Sequence, residues 1–260
     1  METSFNLLPI KKLDNDSKTI GIVKGNDDNK QLFNHFLTIN EDNKGSSSIK
    51  LPADMIFQPI PSKKGRDVYY IVGASGSGKS YLALRIAQNY QKLFPDRPIL
   101  LVSKLDEDET LDQLKGMLRL EFKHWDVSTP DIKVFENTLV IFDDFDAVAK
   151  PILKGIQTVI NDIAVTGRHT NTSMIYISHH ISNYSSTRLI LNEATHYVVY
   201  PHSTSYHSLY YLLSKYLGMT KEDIKRLRKL GSRWICLHKN HPQYVLSEHD
   251  AYLLNDEAWK

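Results

Sequence analysis

A lysine and a serine set behind three glycines point to one chemistry, the holding of phosphates. The octet GASGSGKS, Gly73 to Ser80, fits G-x-x-x-x-G-K-[ST] at every position. Gly73, Gly76 and Gly78 carry no Cβ. The backbone through Ala74, Ser75 and Ser77 can therefore curl and aim its N–H groups inward. A helix beginning there adds its positive N-terminal end. On this reading Lys79 reaches the β- and γ-phosphates of ATP, and the Ser80 hydroxyl ligates Mg²⁺.

A second chemical signal lies about 65 residues downstream. Four apolar residues, Leu139 to Phe142, run into Asp143, Asp144 and Asp146. Ligands of a parallel sheet sit at the strand tips. A carboxylate there can hold the Mg²⁺ that bridges the terminal phosphates, the role assigned to Asp143. A second carboxylate beside it can polarise the attacking water, the role assigned to Asp144. Asp146 reads as a turn residue or helix cap. A third tip, ISHHIS, presents Ser178, His179 and His180. Of these, His179 is the candidate to sense the γ-phosphate or orient water. Arg168, in TGRHTNTS, sits where a helix end favours a cation. In an oligomer it could reach a neighbour's site and stabilise transition-state charge, with Arg188 as its rival.

These residues need strands and helices to place them. Val68–Val72 reads as a buried strand, and Tyr81–Leu93 has apolar residues at helical spacing. Arg97–Ser103, Asn137–Asp144, Ser173–Ser178 and His196–Tyr200 read as further strands. Lys150–Arg168 reads as a helix with Pro151 in its first turn. The acidic stretch LDEDETLDQLKGML, from Leu105, reads as a loop entering a helix. Two helices, YHSLYYLLSKYLG and TKEDIKRLRKLG, precede a hairpin made of RWICLH and QYVLSE. Strands alternating with helices predict an α/β fold, with a mostly parallel central sheet and helices on both faces. Residues 1–50 are polar with apolar islands, and are expected to form a small N-terminal extension containing a hairpin and a helix around Gln31–Leu37. The ATPase core, 51–260, is expected to begin near Leu51.

The whole chain narrows the function classes. At 260 residues it holds one large domain or two small ones. A formal net charge of +2 gives no overall polyelectrolyte signal, so a DNA partner must use a local patch. No apolar run is long enough to span a membrane, and the N-terminus lacks the apolar core of a secretory signal. Cys236 is the only cysteine, which excludes an internal disulfide and suits a reducing compartment.

The order GASGSGKS, LVIFDDF, GRHTNTSMIYISHH, TRLILNEATHYVVY resembles the poxvirus-type DNA-packaging ATPases of large double-stranded DNA viruses, within the FtsK/HerA superfamily of P-loop NTPases. The resemblance covers roughly Val68 to Tyr200. It implies a homo-oligomeric ring that threads duplex DNA, without sequence preference, into a capsid whose packaging vertex it contacts. It also implies work at a viral assembly site in the host cytoplasm, and Mg²⁺–ATP bound by Lys79, Ser80 and Asp143. Two positions depart from the family pattern. Asp144 stands where Glu is usual, one methylene shorter. His179 stands where Gln is usual.

Other residues have plainer readings. Ile224, Leu227 and Leu230 share one helical face, with Lys225, Arg228 and Lys229 off it, either solvated or on DNA phosphates. PSKKGRD is a basic loop of the same ambiguity. Cys236 and His238 share a strand face, with His241 nearby. No fourth ligand completes a zinc site, so an ordinary hairpin is the better account. The expected function is an ATP-driven DNA translocase that packages a viral genome. The alternatives are a P-loop kinase of a small molecule or nucleoside, and a non-catalytic nucleotide-binding assembly switch.

Overall fold

The structure, a computed structural model, describes residues 3–9, 18–25, 35–40, 45–63, 65–123, 125, 130–145, 148–181, 184–254 and 259. Two sheets carry it. The smaller is antiparallel: β1 (Ser4–Pro9), β3 (His35–Asn40), β2 (Lys18–Gly25) and β5 (Met55–Pro59), in that spatial order. The larger has ten strands. Its parallel part runs β11 (His196–Val199), β6 (Val68–Val72), β10 (Ser173–Ser178), β9 (Leu139–Asp143), β7 (Ile99–Ser103), β8 (Met117–Arg119). Beyond β11 it continues antiparallel through β12 (Ile235–His238), β13 (Tyr244–Ser247), β14 (Asp250–Leu253) and β4 (Ser48–Lys50).

The strand period of two sorts the side chains into two cores. From β6, Val68, Tyr70 and Val72 face α2 (Lys150–Thr166), α3 (Tyr184–Glu193), α4 (Tyr206–Leu217) and α5 (Lys221–Lys229). Tyr69 and Ile71 face α1 (Lys79–Leu93) and the small sheet, whose Phe5, Val23 and Leu37 join the same core. The small sheet thus covers a face of the main sheet that α1 alone would leave open. The chain crosses between the two layers: β4 belongs to the main sheet, while the later β5 belongs to the small one.

The central strands and α1, α2, α4 and α5 fall where the sequence pattern predicts them. Three regions differ. His35–Leu37, expected in a helix, lie in β3, where Phe36 and Leu37 are buried. Gln31–Asn34 and Asp146 lie outside the described residues. The helix expected after the acidic loop is only a 3-10 turn, Leu111–Gln113, followed by β8. Asp108 accepts from the backbone N–H of Thr110 (2.8 Å) and Leu111 (2.6 Å), local bonds that compete with a helix. Gly116, at φ 81°, then breaks the run. Finally, α3, β4, β5, β8 and β14 have no counterpart in the sequence reading.

Candidate active site

The phosphate loop grows out of β6 and ends in α1. Gly78 and Gly73 are each required for a different reason. Gly78 holds φ 102°, which an L side chain rarely adopts, and a Cβ on it would lie 3.2 Å from the Arg233 guanidinium. A Cβ on Gly73 would lie 2.9 Å from the Tyr200 ring. The loop is therefore clamped from outside: Arg233 Nε donates to the Ser77 carbonyl at 2.9 Å.

Three parallel strands, β6, β9 and β10, end side by side at this pole, and their tips carry the candidate residues. Lys79 is buried, and its Nζ donates to the Ala74 carbonyl (3.0 Å) and meets His179 Nδ1 (3.2 Å). On the other side of the ring, His179 Nε2 meets Asp144 Oδ1 at 3.0 Å. An ammonium has only protons to give and a carboxylate only lone pairs. The neutral imidazole between them is satisfied when Nδ1 accepts and Nε2–H donates, a tautomer assigned from this network. Asp144 reaches His179 from a left-handed backbone, φ 58°, a conformation Asp tolerates better than most residues.

Ser75, Gly76, Gly78, Lys79, Ser80, Asp143, Asp144 and His179 line one cleft of about 290 Å³. Asp143, at the end of β9, is buried. Burial, then the carboxylates of Asp144 and Asp108, push its carboxyl up to about 7 against the pull of Lys79. A divalent cation would offset those pushes, and the Ser80 hydroxyl lies in the same cleft. The residues therefore fit Mg²⁺. Among the described residues, no group of three or more His, Cys, Asp or Glu is placed to hold a metal. Mg²⁺ needs no such cage, because it takes one or two protein oxygens plus phosphates and water.

Arg168 is not part of this cluster. It is exposed in the turn between α2 and β10, at the end of the sheet where β6 and β10 start. Arg188 is exposed on α3. In β12, Cys236 is packed in the core, and His238 Nδ1 bonds the Pro242 carbonyl while its ring stacks on Tyr244.

No family model matches the chain. It is 34% identical over 217 residues to protein V3 of Sputnik virophage, covering 82% of this chain and 87% of V3. The chain belongs to the V3 family. Among solved structures it resembles the pCW3 conjugation coupling protein TcpA, solved with ATPγS. That match has a TM-score of 0.51 and 12% identity, and covers 86% of this chain and 75% of TcpA. The genome-packaging NTPase B204 of Sulfolobus turreted icosahedral virus 2 aligns at a TM-score of 0.47 and 16% identity, over 71% of this chain and 97% of B204. The fold of this V3-family chain is that of the P-loop NTPases, with a parallel sheet flanked by helices. Viral packaging NTPases and FtsK-type ATPases are among its structural neighbours.

Two residues beside the phosphate loop carry no sequence signal. Thr110 lines the phosphate cleft from the acidic loop. Arg233 arrives from the far end of the chain, in a stretch that reads only as a strand with its flank. Among the described residues, no helix is long and apolar enough to cross a membrane.

Proposed function

We propose that the protein is a Mg²⁺-dependent ATPase that drives double-stranded DNA into a viral capsid. The observation that carries this reading is the Lys79–His179–Asp144 string beside buried Asp143, all on one cleft with the phosphate loop. The loop N–H groups and Lys79 would hold the phosphates, and Ser80 and Asp143 the metal. Bound Mg²⁺ would neutralise charge developing on the terminal phosphates. Asp144 would take up the proton of the attacking water, held in place by His179. His179 in turn would feel Lys79 move onto the γ-phosphate. Arg168 lies at the opposite pole, so it would serve only a neighbouring subunit's site, which suits a ring. Exposed Lys225 and Lys229 on α5, with partly exposed Arg228, offer DNA a local basic patch. Membership of a virophage protein family and the packaging-type motif order support a role in a virus.

The test is steady-state ATP hydrolysis with and without long duplex DNA, in the wild type and in Lys79→Ala and Asp144→Asn. Stimulation by duplex that both substitutions abolish supports the motor. Tight ATP binding with no turnover, duplex present and protein concentration varied, would sink it in favour of a switch. Turnover that demands a phosphate acceptor other than water would mark a kinase.

A further inference from the structure

Beside the phosphate cleft lies a second depression, which shares Gly78 and Tyr81 with it. Its walls come from distant parts of the chain: Ile56 and Gln58 of β5, Arg85 of α1, Tyr200 after β11, Arg233 and Trp234 before β12, and Glu248 after β13. Two polar atoms in these walls, Tyr200 Oη and Arg85 Nε, have no hydrogen-bond partner among the described residues. Tyr200 is 2% exposed, so bulk water does not satisfy its hydroxyl. Its ring is wedged against Gly73, so the phosphate loop itself fixes where that hydroxyl sits.

The position sets the ligand. Asp143, Asp144 and His179 mark the end of the cleft where terminal phosphates react. Gly78 and Tyr81, where the loop becomes α1, adjoin the second depression, so the nucleoside end of a triphosphate leaves on that side. The walls are mainly aromatic and aliphatic, Arg233 is engaged by the Ser77 carbonyl, and the Glu248 carboxylate repels further phosphate. The space, about 70 Å³, takes one edge of a flat ring rather than the whole. The rest of such a ring would lie over Tyr81, which is 52% exposed and has the Arg85 guanidinium 4.7 Å from its ring centroid.

We propose that this depression holds the base of the nucleoside triphosphate. Tyr81 is its stacking face, and Tyr200 Oη and Arg85 Nε are its hydrogen-bonding edge. The proposal rests on the reading of Gly73–Ser80 as a triphosphate loop. Its consequence is that the small N-terminal sheet, through Ile56 and Gln58, takes part in nucleotide recognition.

Calorimetric titration with Mg²⁺–ATP and with Mg²⁺–tripolyphosphate separates the two readings. The wild type should bind ATP about tenfold or more tighter than tripolyphosphate, the worth of a stacked base. Ile56→Trp fills the depression from a position already 37% exposed. It should bring ATP down to the tripolyphosphate level and leave tripolyphosphate unchanged. Tyr200→Phe keeps the ring under Gly73, and should lose about three- to tenfold on ATP alone. Equal wild-type affinity for the two ligands refutes the base pocket while leaving the phosphate loop intact. So does an equal loss of both in Ile56→Trp at an unchanged melting temperature. If neither ligand binds the wild type and Lys79→Ala changes nothing, the triphosphate reading fails and the base pocket with it.

Discussion

His179 bonds on both sides, to Lys79 and to Asp144, and so joins the phosphate loop to the β9 tip. The two departures from the packaging-ATPase pattern, Asp144 and His179, therefore touch each other: the shorter acid meets a ring that reaches it. Glutamine can also accept from Lys79 and donate to Asp144, so His179→Gln should keep ATP turnover within about tenfold of wild type, whereas His179→Ala should lose about a hundredfold in kcat. Initial-rate assays at saturating ATP check both. Gly78 gives a second residue-scale outcome. Gly78→Ala puts a side chain at φ 102° and against Arg233, and should cost about 1–3 kcal/mol in chemical denaturation. Arg233→Ala in the same chain should recover only part of this, because the backbone strain stays.

At the scale of elements, α5 shows how local chemistry sets a boundary. Thr220 accepts from the Asp223 N–H while Asp223 accepts from the Thr220 N–H, a reciprocal cap. Ile224 and Leu227 bury one face, and the basic residues stay outside. Thr220→Ala should destabilise the protein by about 1 kcal/mol, read from a denaturant midpoint shift at constant slope. Elements with such strong local signals, α1, α2, α4, α5 and the central strands, are legible in the sequence. The stretch after Leu105 is not, because side-chain bonds of Asp108 and the left-handed Gly116 outweigh a weak helical pattern. β3 is likewise hidden, since Phe36, Leu37 and Ile39 become a strand only by pairing with β1 and β2.

At the scale of the whole molecule, the end of the main sheet opposite the nucleotide cleft buries a cluster of titratable groups. His196 packs between Tyr69 and His238, bonds Thr195 and Tyr244, and lies 3.8 Å from Asp67. Burial pushes both imidazoles down to about 3. The Lys18 ammonium adds to this for each, and His196 adds to it for His238. At these two sites the unfolded chain takes up protons below about pH 6.5 that the native state refuses, so their contribution to stability falls as pH falls. At pH 5 the loss is about 2 kcal/mol per imidazole. Asp67 and Asp143 act in the opposite sense, because burial raises both carboxyls, so the share of the histidines is read by comparing variants. Between pH 6.5 and 4.5 the melting temperature of His238→Asn should rise relative to that of the wild type, because the variant lacks one of the two buried imidazoles.

Motifs made of consecutive residues were determined by the sequence alone. The phosphate loop needs its glycines, lysine and serine in one run, and each acidic or histidine tip follows directly from its own apolar strand. The parallel α/β class follows too, because strand and helix periodicities are local. Tertiary structure decided what meets across distance. It brought Arg233 and Tyr200 against the loop, placed His179 between Lys79 and Asp144, set Arg168 at the far pole, and carried β5 of the small sheet to the edge of the nucleotide site. The physical reason is that these partners are up to 156 residues apart, so only the packing of the two sheets around α1 sets their separation in space.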